Sequence, residues 1–130
     1  MTNAEKRKTV VMLGGSRLQV PAIKAARKPG FRVVCADYDP DAVGFAVADG
    51  SSLTSTLDVD AVKALARDED ADFVITSTSD APVRVAALVS ERLALPTGIS
   101  SADAVCATQK DAMRTRLAES GVPMPEFEIC

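Results

Sequence analysis

The feature that most constrains this chain is Thr9-Val10-Val11-Met12-Leu13, a short unbroken apolar run stopped by Gly14-Gly15-Ser16. A strand with one wet face alternates apolar and polar residues. A run that is apolar throughout, rich in β-branched residues and cut off by glycine belongs to a strand covered on both faces. Two further runs of this kind follow, Phe31 to Ala36, closed by Asp37, and Phe73 to Thr76 within Asp72 to Thr78. Helical stripes lie between them. Gln19 to Lys28 carries Val20, Ile23 and Ala26 on one face and ends at Pro29-Gly30. Asp58 to Glu69 sets Val59, Val62, Leu65 and Ala66 on a common face, with Asp58 placed to cap it. Pro82 suits the first turn of a third helix whose apolar face is Val85, Leu88, Val89 and Leu93.

Buried strands alternating with amphipathic helices require parallel pairing through right-handed crossovers. Two weaker segments complete the count: a third strand around Ser51 to Thr54 and a fifth over Leu95 to Gly98. Tyr38 to Asp49 is mostly loop, with room for one helical turn. Two helices follow the last strand, Ser101 to Ala107 and Gln109 to Ser120, and Gly121 stops the second. The expected fold is α/β: a doubly wound, open parallel five-stranded sheet with helices on both faces. Residues 1–120 form that Rossmann-like domain, and 121–130 run off in extended form as a linker.

Composition narrows the function. Fifteen basic against eighteen acidic side chains give a net charge of −3, too acidic for nucleic acid as the main partner. The chain has no histidine, which removes imidazole-dependent triads and histidine-ligated metals. No apolar run approaches the roughly 20 residues a membrane-spanning helix needs. Met1 to Lys8 is polar, without a signal-peptide stretch, so the expected location is cytoplasmic. Cys35, Cys106 and Cys130 show no disulfide or zinc-knuckle spacing and no basic neighbour that would activate a thiol.

Doubly wound sheets place ligands beyond the carboxyl ends of their strands, which selects three loops. In Gly14-Gly15-Ser16-Arg17-Leu18, glycine lets backbone approach a ligand, the following helix offers free amides, and Arg17 can grip a carboxylate or phosphate. The same loop also reads as a tight strand-to-helix turn. It is not the dinucleotide fingerprint, which wants glycine where Ser16 and Gln19 stand, nor a Walker A loop. Asp37 can accept from ribose hydroxyls or simply cap its own loop. Asp39, Asp41 and Asp49 add charge without the spacing of a calcium loop. Ser77-Thr78-Ser79-Asp80 can bind a ligand, cap the next helix, or do both. Lys110 and Arg114, four apart, share a helical face that is either solvated or a site.

Taken in order, these pieces resemble the N-terminal, pre-ATP-grasp domain of the ATP-grasp superfamily, above all its carbamoyl-phosphate-synthase-like carboxylate–amine ligases. Pyrrolysine-biosynthesis ligases and formate-dependent glycinamide ribonucleotide transformylases are further relatives. The resemblance is carried by Gly14-Gly15 and Leu18-Gln19, then Pro21-Ala22-Ile23-Lys24, Asp37-Tyr38-Asp39-Pro40, Ala48-Asp49 and Ser79-Asp80. It continues through Leu95-Pro96-Thr97-Gly98, Lys110, Arg114-Thr115-Arg116-Leu117 and Gly121-Val122-Pro123-Met124-Pro125. It implies a ligase that makes an acyl-phosphate from ATP and magnesium. In it, Gly15, Ser16, Arg17, Leu18 and Asp80 hold a small carboxylate or amine substrate, and Lys110 touches ATP phosphate. No catalytic residue and no metal ligand is expected in this chain. Pro125 to Cys130 corresponds to the lead into the ATP-grasp domain proper, whose lysine, adenine-binding strand and acidic magnesium ligands are not among these residues. The expectation is that these 130 residues hold no cofactor alone and depend on that domain in cis or in trans. The surface that domain would cover leaves a homodimer possible in its place.

A rival reading is a stand-alone Rossmann-type module binding a nucleotide or metabolite. The incomplete glycine pattern weighs against a dehydrogenase. A phospho-receiver domain is set aside, because Gly14-Gly15-Ser16 stands where it needs an acidic pair.

Overall fold

A computed structural model describes residues 5–130. The part of the polar lead-in formed by residues 1–4 lies outside the described residues. Four strands form one parallel sheet: β1 (Thr9–Leu13), β2 (Arg32–Asp37), β3 (Gly50–Leu53) and β4 (Phe73–Thr76), in the order β3-β2-β1-β4. The helices are α1 (Val20–Arg27), α2 (Val59–Asp68), α3 (Ala81–Arg92), α4 (Ser101–Thr108) and α5 (Lys110–Glu119), with a short 3-10 turn at Val43–Ala46.

The apolar run of β1 is buried at every residue, as a central strand of a doubly wound sheet must be. Its side chains alternate between two cores. Val11 and Leu13, with Val34, Ala36 and Val74, meet Val62 and Ala66 of α2 and Val85, Ala86 and Val89 of α3. Val10 and Met12, with Val33 and Cys35, meet Ile23 of α1 and are closed off by Phe31, Phe45 and Phe73. Phe31 and Phe73 meet edge to face, ring centres 5.9 Å apart. Met12, Leu13 and Ile23 are fully buried, each burial worth roughly 1.5–3 kcal/mol. Asp58 caps α2 as its position predicts, Oδ1 accepting from the Ala61 amide at 3.0 Å.

The fold class matches the sequence expectation, but the fifth strand does not form. The reason is local. Ala94 takes a left-handed φ of 54°, and the Leu95 amide is drawn back to Ser90 O at 2.8 Å. Pro96 has no amide to donate, and Thr97 Oγ1 bonds the backbone of Ile99 instead of a neighbouring strand. Pro96 to Ile99 therefore lines a groove of about 460 Å³ beside the open edge of β4. The short third strand does form, pairing with β2 from Val34↔Gly50 to Asp37↔Leu53.

Cys35 is buried, and burial together with the charge of nearby Asp37 pushes its thiol up to about 11. That environment suits a structural thiol. Among the described residues no helix is long and apolar enough to cross a membrane.

Candidate functional site

The strand order reverses between β1 and β4, so the loops after these two strands face one another at the carboxyl edge of the sheet. The loop after β2 joins them from the other side. These are the three loops that the sequence singles out.

The loop after β1 is held from beneath. Gly14 has a φ of +106°, a conformation side chains disfavour, and its amide donates to Ala36 O at 2.8 Å. The Gly15 amide donates to Asp37 Oδ2 at 2.7 Å, while Asp37 Oδ1 accepts from the Asp39 amide at 3.0 Å. Asp37 is thus a buried brace that fixes two loops, the capping alternative of its two readings.

Gln19 is the residue that sequence reasoning missed. It is 5% exposed. Its Oε1 accepts from the Ser16 amide at 3.0 Å and from the Ser16 hydroxyl. Its Nε2 donates across the crevice to Ser77 O at 3.0 Å and to Thr78 Oγ1 at 3.1 Å. One side chain therefore ties the β1 loop to the β4 loop. A signal for this existed: Gln19 lies on the same helical stripe as Ile23 and Ala26, and a polar residue on an apolar stripe needs partners. Thr78 is held in a left-handed conformation, φ 61°, which a β-branched residue rarely adopts.

Other predicted residues fall as follows. Ser16, Arg17 and Leu18 are all exposed on the rim. Arg17 makes no ion pair among the described residues. Ser16 and Arg17 line a depression of about 310 Å³ with Tyr38, Asp39, Asp41 and Val43, above the Asp37 brace. Gly15 is buried beneath this rim, so it shapes the loop and does not face solvent. Asp80 stands at the start of α3, exposed, and makes no side-chain cap. Lys110 opens α5 and is not brought to this site. It lines a separate shallow depression with Arg114, Glu126 and Phe127, where the Arg114 guanidinium lies 5.6 Å from the Phe127 ring centre. Among the described residues no three carboxylates or thiols converge on one point. ATP phosphates at Lys110 would also meet Glu126 and Glu128, a poor fit unless another domain supplies more cations.

The fold can now be compared. Phosphoribosylglycinamide synthetase from Anaerococcus prevotii superposes with a TM-score of 0.76 and 21% identity, over 89% of this chain and 30% of that one. Glycinamide-RNase-transformylase T from Mycobacterium tuberculosis gives 0.74 and 22%, over 91% and 33%. N5-carboxyaminoimidazole synthetase from Staphylococcus aureus, solved with ADP, gives 0.69 and 19%, over 92% and 31%. This is the fold of a segment of these enzymes. The chain spans about a third of their length. No protein-family model matches it, and no curated protein does.

Proposed function

We propose that this chain is the substrate-side domain of an ATP-dependent carboxylate–amine ligase of the ATP-grasp superfamily, inactive without the rest of that enzyme. The observation that carries the reading is the match of nearly the whole chain to about a third of two synthetases and a transformylase. The site agrees with it. A rigidly braced glycine loop presents Arg17, which makes no ion pair among the described residues, on the rim between the loops after β1 and β2, where a substrate anion can be held. In this reading Ser16, Arg17, Leu18 and Asp80 face the substrate and Gly15 keeps their loop in place. Lys110 meets ATP phosphate once the ATP-grasp domain, in cis or as a partner chain, closes over α5. Magnesium is held by that domain. A homodimer is an alternative cover for the same surface.

The test is to read the source coding sequence past the Cys130 codon and assay the protein it encodes. Hydroxylamine serves as the acceptor nucleophile, so that an acyl-phosphate is trapped as a hydroxamate. If the frame ends there, the neighbouring chain that carries an ATP-grasp domain is added. ATP-dependent hydroxamate and ADP, formed only when a carboxylate is supplied, are expected. A continuing frame that encodes a different catalytic domain, or no carboxylate-dependent ADP from either preparation, overturns the proposal.

A further inference from the structure

The depression above Asp37 has an unusual charge arrangement. Arg17, Asp39 and Asp41 all line it. None of the three makes an ion pair within 4.0 Å among the described residues. Opposite charges that share a cavity without pairing keep bonding capacity to spare. The acids are not equally free. Asp37 is fully engaged with the Gly15 and Asp39 amides, and Asp39 Oδ1 accepts from the Asp41 amide at 2.9 Å. That leaves Asp39 Oδ2 and the Asp41 carboxylate. Tyr38 and Val43, which line the same depression, are 75% and 42% exposed. The volume, about 310 Å³, is at the small end of ligand sites.

We infer that this depression binds a small amino carboxylate, a zwitterion of the amino-acid class. Its carboxylate pairs with Arg17, its ammonium with Asp39 and Asp41, and its hydrocarbon part lies on Tyr38 and Val43. A nucleotide or other polyanion is disfavoured, because any group large enough to span the depression would meet two carboxylates for one guanidinium. The inference rests on the substrate-side reading above and names the substrate class.

The experiment uses the 130-residue chain, followed by its amide resonances. Each common amino acid is titrated singly at millimolar concentration. Any that binds is compared with its decarboxylated amine and its deaminated acid. At least one amino acid is expected to shift the amides of Ser16, Arg17 and residues 38–43, binding about tenfold or more tighter than either single-charge analogue. Arg17→Gln should abolish the response to the acid and spare that to the amine, and Asp39→Asn should do the reverse. Both side chains are exposed, and asparagine keeps the Oδ1 that bonds Asp41, so the remaining resonances should not move. If no amino acid shifts these amides, or the analogues bind as well, the inference fails. Carboxylate-dependent hydroxamate with no amino-acid binding leaves the ligase reading standing with another substrate. Binding without ATP-dependent product leaves the site standing and removes the ligase.

Discussion

The backbones of Gly15 and Gly44 lie directly against each other. The Gly44 amide donates to Gly15 O at 2.7 Å, and a Cβ on Gly44 would stand 2.6 Å from Gly15 Cα. The two nearest atoms, Gly15 Cα and O, are main chain and cannot give way as a side-chain tip would. Gly44→Ala should therefore cost about 2–3 kcal/mol, read as a lowered denaturation midpoint with an unchanged slope. It should also push the Ser16–Arg17 rim away from the Tyr38 loop. Unaltered stability would mean that the two loops separate freely and that the depression between them is not preformed.

Gln19 has all its bonding groups engaged, so Gln19→Ala leaves the Ser16 amide without its acceptor and the Ser77 carbonyl with the Thr78 hydroxyl alone. The expected loss is about 1–3 kcal/mol, with faster hydrogen exchange confined to residues 14–19 and 76–80. Gln19→Glu should be worse, since a carboxylate would face Ser77 O, which the Nε2 donor now satisfies at 3.0 Å. Equal stability of the glutamate variant and the parent would show that the crevice is open to water.

The same side chain argues against dinucleotide binding. It fills the crevice at the position where the fingerprint requires glycine and takes up the Ser16 amide that a pyrophosphate would need. NADH titrated by fluorescence should show no micromolar binding. Stoichiometric binding in that range would restore the free-standing Rossmann module as the better reading.

Asp49 contributes a pH dependence. Its carboxyl is held below the ordinary value of 3.8, first by the Val33 amide, then by Arg27 and Arg7. Val33 N donates to Oδ2 at 2.8 Å, and Arg27 reaches both oxygens at 3.1 Å. A depressed acid contributes stability that is present above its unfolded pKa and lost as pH falls through its folded one. The carboxylate is 17% exposed and Arg27 more so, which limits the effect to about 1 kcal/mol. Asp49→Asn should destabilise the protein by that amount near neutral pH, and the difference should shrink below about pH 4. A difference independent of pH would mean that the charge contributes nothing.

α5 has no buried residue, and residues 120–130 form no regular element. Hydrogen exchange should find residues 121–130 the least protected of the described chain, well ahead of β1 and β2. Protection equal to the central strands would show that a second copy or another chain covers this end.

The sequence by itself determined the α/β class, the two-sided burial of β1 and β2, the cap at Asp58 and the three loops at the strand ends. Each of these depends on local periodicity or turn chemistry, which residues a few positions apart encode. It overestimated the sheet, because Leu95 to Gly98 reads as a short strand, yet pairing is decided by whether its amides reach β4; that of Leu95 is spent on Ser90 O and Pro96 has none. Lys110 was set apart from the substrate loop only by the resemblance, and the structure places it in a different depression from Arg17. It also allowed Asp37 and the glycines two roles each. Only the tertiary structure made Asp37 a brace, set Gly15 on Gly44 and sent Gln19 across to Ser77. These contacts join residues from different strand-end loops, so no local pattern carries them. Their existence depends on the strand order that places those ends together.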